Sequence, residues 1–386
     1  MDQHLLEKID AHFEEMVAIR RHLHMHPELS FQEQETANYI SQFYKKLGVP
    51  VEVNISGYGL IARIKGGKPG KTIALRADFD ALPIQDEKDV PYKSTVPGVM
   101  HACGHDGHTA TLLIVGKLLW EMRDDLVGEY ILIHQHAEEV DPGGAIGMVQ
   151  AGVLQGVDAI FGTHLSSNHP TGTVGYRVGP MMAAVDSFDL KIQGKGGHGA
   201  HPDQTKDAIV IGAQLVMNLQ QIVARRVVPT EPAVLSVGSF VASNADNIIA
   251  DTAYLNGTIR TFDKDIRETM EREFKRIIKG TEITNDCSIE LNFRRGYPAL
   301  VNHEKETLFI REIAKDICEV FEMETTMGAE DFSYYLEEKP GTFFFTGATP
   351  VAPAPHHHPL FDIDEEGMAV AAKVLLTAAL DYQLIK

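Results

Sequence analysis

Apolar positions along the chain follow two different periods, and the change of period divides it into segments. Leu5, Ile9, Phe13, Met16 and Val17 fall on one helical face and predict a helix over residues 5–23. After the His26-Pro-Glu28 punctuation a second helix is expected over 33–47, stopped by Gly48. Short apolar runs at 60–64, 72–77, 130–134 and 159–164 read as strands, and residues 109–122 read as a helix. The second strand continues into Asp78-Phe79-Asp80, the third into paired glutamates, and the fourth ends on His164. Strands alternating with helices, with polar residues just past the strand ends, predict an α/β sheet whose site lies at its carboxyl edge.

From about residue 181 the pattern changes. Strands are expected at 187–193, 233–241, 252–262 and 287–293, with helices at 207–224 and 264–279. This β-α-β-β-α-β order is that of a ferredoxin-like α+β unit, inserted in the first domain. From Gly296 the chain is expected to return, with helices at 303–321 and 365–382 around a strand at 342–346. The division is therefore 1–180, 181–295 and 296–386. A chain of 386 residues exceeds the size at which one core stops growing, which agrees with two domains.

Charge and composition narrow the function. A formal net charge of −19 argues against a nucleic-acid backbone as partner and repels anionic substrates at long range. A carboxylate-bearing substrate would need local cationic or amide donors. The chain lacks a run of about 18 apolar residues, so no membrane span is expected. Its first residues lack the basic start and apolar stretch of a secretory signal. Three cysteines are an odd number and do not suggest a disulfide framework; Cys287 and Cys318 read as core residues, and a cytoplasmic location is expected.

The remaining cysteine, Cys103, sits in His101-Ala-Cys-Gly-His-Asp-Gly-His108. Thiolate and neutral imidazole are donors for a borderline-soft divalent metal, and Cys103 and His105 are close enough to bind one ion or a neighbouring pair. The bland reading is a buried cysteine beside surface histidines. A second cluster, His134-Gln-His-Ala-Glu-Glu139, ends in adjacent carboxylates. In an extended segment these would point to opposite sides, so that one ligates and the other handles water; alternatively they form a solvated surface pair. His164 alone would more often be structural. Of His356-His-His358, one or two can face a common ion; the bland reading is a polar loop. Asp78 and Asp80 could orient a ligating imidazole from behind. His22, His24 and His26 read as a structural loop, and Gly194-Lys-Gly-Gly-His-Gly-Ala-His-Pro202 as a flexible turn presenting His198 or His201.

In this order the sequence resembles the metal-dependent aminoacylase and carboxypeptidase family, in its amidohydrolase branch of hippurate hydrolases, auxin-conjugate hydrolases and N-acetyldiaminopimelate deacetylases. The matching stretches are Arg20-Arg-His-Leu-His-Met-His-Pro-Glu28, Leu75-Arg-Ala-Asp-Phe-Asp-Ala-Leu-Pro83, His101–His108, Ala137-Glu-Glu139, Gly162-Thr-His164, Gly196-Gly-His-Gly-Ala-His-Pro202, Gly328-Ala-Glu-Asp-Phe332 and His357-His-Pro359. The resemblance implies a catalytic α/β domain of zinc-peptidase type holding two divalent ions, zinc or manganese, with cobalt or nickel also suitable. It implies an inserted lid that forms a homodimer or higher homo-oligomer. Cys103, His105, Glu139, His164 and His357 would be the ligands, with His358 as the fallback for the last. Glu138 would be the general base, Asp80 a supporting aspartate and His198 the residue assisting the carbonyl oxygen, while Asn247 and Arg260 would hold the substrate carboxylate. Two departures stand out: His136 where relatives often carry proline, expected near the metals, and the triple histidine. The implied reaction is hydrolysis of an N-acyl amino acid. The rival readings are a dipeptidase or aminopeptidase, a non-catalytic metal-binding protein, and a hydrolase using Cys103 as nucleophile.

Overall fold

The computed structural model describes residues 3–385. They form two compact units, the first comprising residues 3–179, Val301–Glu324 and residues 331–385, the second Pro180–Leu300 and Thr325–Glu330. The return to the first unit thus falls at Val301, later than the expected 296. The six-residue segment joins the second unit because Ala183 N–H donates to the carbonyls of Thr326 and Gly328, a long-range pairing with no local sequence signal.

The first unit is built on an eight-stranded sheet in the order Val51–Ile55, Gly59–Lys65, Val127–Gln135, Lys68–Asp78, Ala159–Ser166, Gly341–Gly347, Thr173–Tyr176, Glu319–Glu322. Its central strands, Val127–Gln135, Lys68–Asp78, Ala159–Ser166 and Gly341–Gly347, are mutually parallel, so their carboxyl ends share one edge. Helix His105–Met122 packs on them and is buried almost all round, which explains its continuous apolar composition. Two expected elements differ. The first helix divides at His12 into Gln3–Ala11 and Phe13–Met25, so His22 and His24 lie in a helix and not in a loop. The helix expected at 303–321 ends at Lys315, and a strand, Glu319–Glu322, follows it.

The second unit carries a four-stranded antiparallel sheet in the order Ala233–Val241, Thr252–Thr261, Ala184–Gln193, Ser288–Arg295. With helices Ala208–Arg225 and Lys264–Asn285 this is the ferredoxin-like arrangement. Asp207 and Asp263 cap the two helices by accepting backbone N–H bonds from Ile209 and Ile266. Helix Ala208–Arg225 is long and apolar enough to cross a membrane by length and composition. It buries Ile211, Leu215, Leu219 and Ile222 in the core shared with Phe188 and Phe274.

Candidate metal centre

Four segments at the carboxyl edge of the large sheet deliver the chemistry. Strand Lys68–Asp78 leads to Asp80, Val127–Gln135 leads to Glu138 and Glu139, and Ala159–Ser166 carries His164. The loop beyond Gly341–Gly347 brings His356 and His357, and it is pinned to the cysteine loop by His357 N–H donating to Ala102 O at 2.8 Å. Gly104, at φ +97°, turns the chain so that a helix begins at once with His105, four residues before the expected start. Cys103 therefore stands just outside the positive end of a helix dipole.

Each ring nitrogen can be assigned from what it faces. A nitrogen on a carbonyl or carboxylate oxygen must carry the proton, which leaves a lone pair on the other. His105 Nδ1 faces Asp80 O at 3.0 Å and Asp80 Oδ1 at 3.1 Å. Its Nε2 is left with a lone pair, buried and without a hydrogen-bond partner. His164 Nδ1 donates to Leu165 O at 2.8 Å, and its Nε2 faces Cys103 Sγ at 3.4 Å. Both rings are set as Nε2 ligands. His108 is not: Nδ1 is on Asp78 Oδ1 at 2.6 Å and Nε2 accepts from Leu165 N–H at 2.9 Å. It braces the site and has no lone pair to give.

The two glutamates do not diverge as an extended segment would require. Ala137, at φ +52°, turns the chain after the strand, and both carboxylates converge on His105 Nε2, Glu138 Oε2 at 4.0 Å and Glu139 Oε1 at 3.9 Å. Glu139 Oε1 also lies 3.3 Å from His357 Nε2, and Cys103, Glu139 and His357 place one donor atom each within 4.8 Å of one another. Glu138 groups with His105 and Glu139 and is in no group with Cys103 among the described residues. Asp80 ties the parts together, accepting from Glu139 N–H at 3.0 Å and Ser30 Oγ at 2.7 Å while it orients His105.

These residues fit divalent cations. Burial and nearby Glu139 push the Cys103 thiol well above its ordinary range, so a thiolate here needs a cation to sustain it. Burial opposes a charge on His105, yet Asp78, Cys103 and Asp80 outweigh it and raise its pKa, marking Nε2 as a position where positive charge is favoured. Burial, with His108 and His356 alongside, holds His164 neutral, the state a ligand requires. The raised thiol also disfavours Cys103 as a catalytic nucleophile, which would need the opposite shift.

Of the expected site residues in this unit, Cys103, His105, Glu138, Glu139, His164, His357 and Asp80 come together. His358 does not: it is exposed and its Nδ1 accepts from Leu360 N–H at 3.1 Å. His136 is in none of the candidate ligand groups among the described residues; its ring packs edge-on to Phe31, centroids 5.8 Å apart. His356, first of the three consecutive histidines, places Nδ1 3.7 Å from Cys103 Sγ. A buried charge cluster supports the ligands from below. Arg20, fully buried, bonds Asp106 at 2.8 Å, Asp362 at 2.7 Å and Glu365 at 3.2 Å. It thereby links the helix that begins with His105 to the segment following His356 and His357.

In the second unit, His198 lies in a two-residue strand paired with Ile248, and Gly199 N–H donates to Asn247 O at 2.7 Å, so His198 and Asn247 are neighbours. His198 Nδ1 accepts from Ala200 N–H at 3.1 Å, which places the proton of the neutral ring on Nε2. Arg260, on strand Thr252–Thr261, has a buried Nη1 with no hydrogen-bond partner.

Comparison with known proteins agrees with this geometry. An N-acyl-L-amino acid amidohydrolase of Geobacillus stearothermophilus is 50% identical over 291 residues, 75% of this chain and 79% of that protein. A solved chain from methicillin-resistant Staphylococcus aureus superposes with a TM-score of 0.95 at 43% identity, covering 99% of this chain and 100% of that one. A Bacillus subtilis structure described as a dinuclear metal-binding peptidase superposes with a TM-score of 0.85 at 35% identity, covering 98% and 100%. Residues 74–381 match peptidase family M20/M25/M40, and the chain belongs to that family.

Proposed function

We propose that this chain hydrolyses the amide bond of N-acyl amino acids, releasing a carboxylic acid and a free amino acid, with two divalent ions in overlapping ligand sets that share Cys103. The observation that carries the reading is the convergence of Glu138 and Glu139 on His105 Nε2, at 4.0 and 3.9 Å, beside a thiol that only a cation would keep ionised. Cys103, His105 and His164 would hold one ion, and Cys103, Glu139 and His357 the other. Thiolate and imidazole suit zinc, and the carboxylate tolerates manganese; cobalt or nickel would also be accepted. When bound, the ions supply acidification of water and polarisation of the acyl carbonyl.

Glu138 accepts the proton of the attacking water and returns it to the departing amine. His198 donates its Nε2–H to the oxygen that gains charge. Asn247 and the unpartnered Arg260 Nη1 meet the substrate carboxylate, a local attraction that offsets the repulsion of a chain at −19. Asp80 keeps His105 in the tautomer that presents Nε2. The second unit would also form a homodimer. Ala233–Val241 is a sheet edge, and helix Ala208–Arg225 leaves Val210 and Met217 exposed.

Replacing Glu138 by Gln should lower kcat for an N-acetyl amino acid by about 10²–10⁴ while two ions per chain remain bound. Near-normal turnover in that variant would overturn the base assignment. Preference for the matching dipeptide over the N-acetyl amino acid would move the activity to a dipeptidase.

A further inference from the structure

We infer that His356 is a hydrogen-bond donor to the Cys103 sulfur and not a further metal ligand. The inference rests on the metal reading above and refines it at one atom. By distance alone His356 belongs with Cys103 and His164 as a three-donor group, each offering an atom within 4.8 Å of the others. Counting protons separates the two imidazoles. His164 spends its N–H on Leu165 O and presents a bare Nε2 to the sulfur at 3.4 Å. His356 is wired in the opposite sense: its Nε2 accepts the backbone N–H of Ser167 at 3.4 Å. A ring nitrogen that accepts cannot carry a hydrogen, so the hydrogen of the neutral ring is on Nδ1. Nδ1 is the atom that faces Cys103 Sγ, at 3.7 Å. A protonated nitrogen cannot ligate, but it can donate to a thiolate.

The ring is held in this orientation from several sides. It packs edge-on to His164 with centroids 5.2 Å apart and lies against Phe361 at 4.8 Å. Its loop is tied down by His357 N–H on Ala102 O, one residue before the cysteine. A donor on the sulfur withdraws electron density from it, so the thiolate gives less to its cations and leaves them stronger Lewis acids. The consecutive histidines therefore divide the work: His357 reaches Glu139, His356 tunes the sulfur and His358 faces outward. His356 is a positioning and tuning residue that acts through Cys103.

The test uses the full chain loaded with cobalt(II), read by metal content and by the sulfur-to-cobalt charge-transfer band in the near ultraviolet. His356→Phe keeps the ring bulk and removes the donor; His356→Asn restores an N–H close to the Nδ1 position. Donation predicts two cobalt ions per chain in both variants, a band at longer wavelength in His356→Phe, and a band near the wild-type position in His356→Asn. Loss of one ion, or at least hundredfold weaker binding of one ion in both variants, would make His356 a ligand and overturn the inference. An unmoved band in His356→Phe would overturn it as well. If Cys103→Ser leaves the wild-type band unchanged, the metal assignment itself fails, a result distinct from either of these.

Discussion

Arg20 offers the sharpest test of how the scaffold holds the ligands. In Arg20→Met the side chain keeps much of its length and loses its charge, and three carboxylates are affected unequally. Glu365 keeps Arg21, bonded at 2.7 Å, and Asp362 keeps the Tyr92 hydroxyl at 2.7 Å. Asp106 is fully buried, keeps only His24 Nδ1 at 2.7 Å, and already has one oxygen without a partner. Breaking a buried pair by removing one partner costs about 3–5 kcal/mol, most of it the charge left behind. For a unit of this size that is a fall in Tm of about 10 °C, measurable by calorimetry on the metal-loaded protein. Because the penalty belongs to Asp106, adding Asp106→Asn should return about 1–3 kcal/mol of it. Strictly additive losses in the double variant, or a shift in Arg20→Met of about 2 °C or less, would show that Asp106 does not depend on Arg20 for its charge.

Three further outcomes follow from neighbouring groups. Asp80→Asn leaves one acceptor oxygen where His105 Nδ1 and Glu139 N–H each need one, so chelator competition should show metal binding about 10–100-fold weaker; unchanged affinity would show that the Asp80 backbone carbonyl, 3.0 Å from Nδ1, orients the ring without the carboxylate. Glu33 is buried with one oxygen on Ala137 N–H at 2.7 Å, and burial together with Asp80 pushes its carboxyl up to about 8 from an ordinary 4.5. The folded protein therefore holds a proton there that the unfolded chain releases. Stability attributable to this group falls as pH rises from about 4.5 to about 8, by up to about 1.4 kcal/mol per unit. Glu33→Gln should flatten that decline in denaturation midpoints, and an equal decline in the variant would refute it. Gly144→Ala should destabilise the turn that carries the glutamates, since a Cβ there would meet His136 O at 1.9 Å; a Tm equal to wild type would show that the backbone yields freely.

Much of this site could be read along the chain because its residues cluster at strand ends, where an apolar run gives way to polar side chains. Asp80, Glu138, Glu139 and His164 all stand at such strand ends, though that signal alone left their roles open and the family resemblance supplied them. Less legible was whatever depends on a turn or a distant partner. Gly104 lets the helix start inside the histidine cluster, so His105 and His108 sit three residues apart on one helical face, ring centroids 5.4 Å apart, with only the first presenting a lone pair. The positive φ at Ala137 swings two carboxylates inward that a flat strand would separate. His24 reads as a loop residue because Pro27 follows, yet the helix continues to Met25 and one helical turn aims Arg20 and His24 at Asp106. The short edge strand Val51–Ile55 exposes its three central residues and so carries little apolar pattern to read.

In the proposed centre the Cys103 sulfur is shared by two cations. A crystal structure of the metal-loaded chain, with anomalous scattering recorded at the metal's absorption edge, addresses it directly. Two anomalous peaks are expected, both bonded to Cys103 Sγ, one also to His105 and His164 and the other to Glu139 and His357. A single peak, or ions seated away from the cysteine, would contradict it.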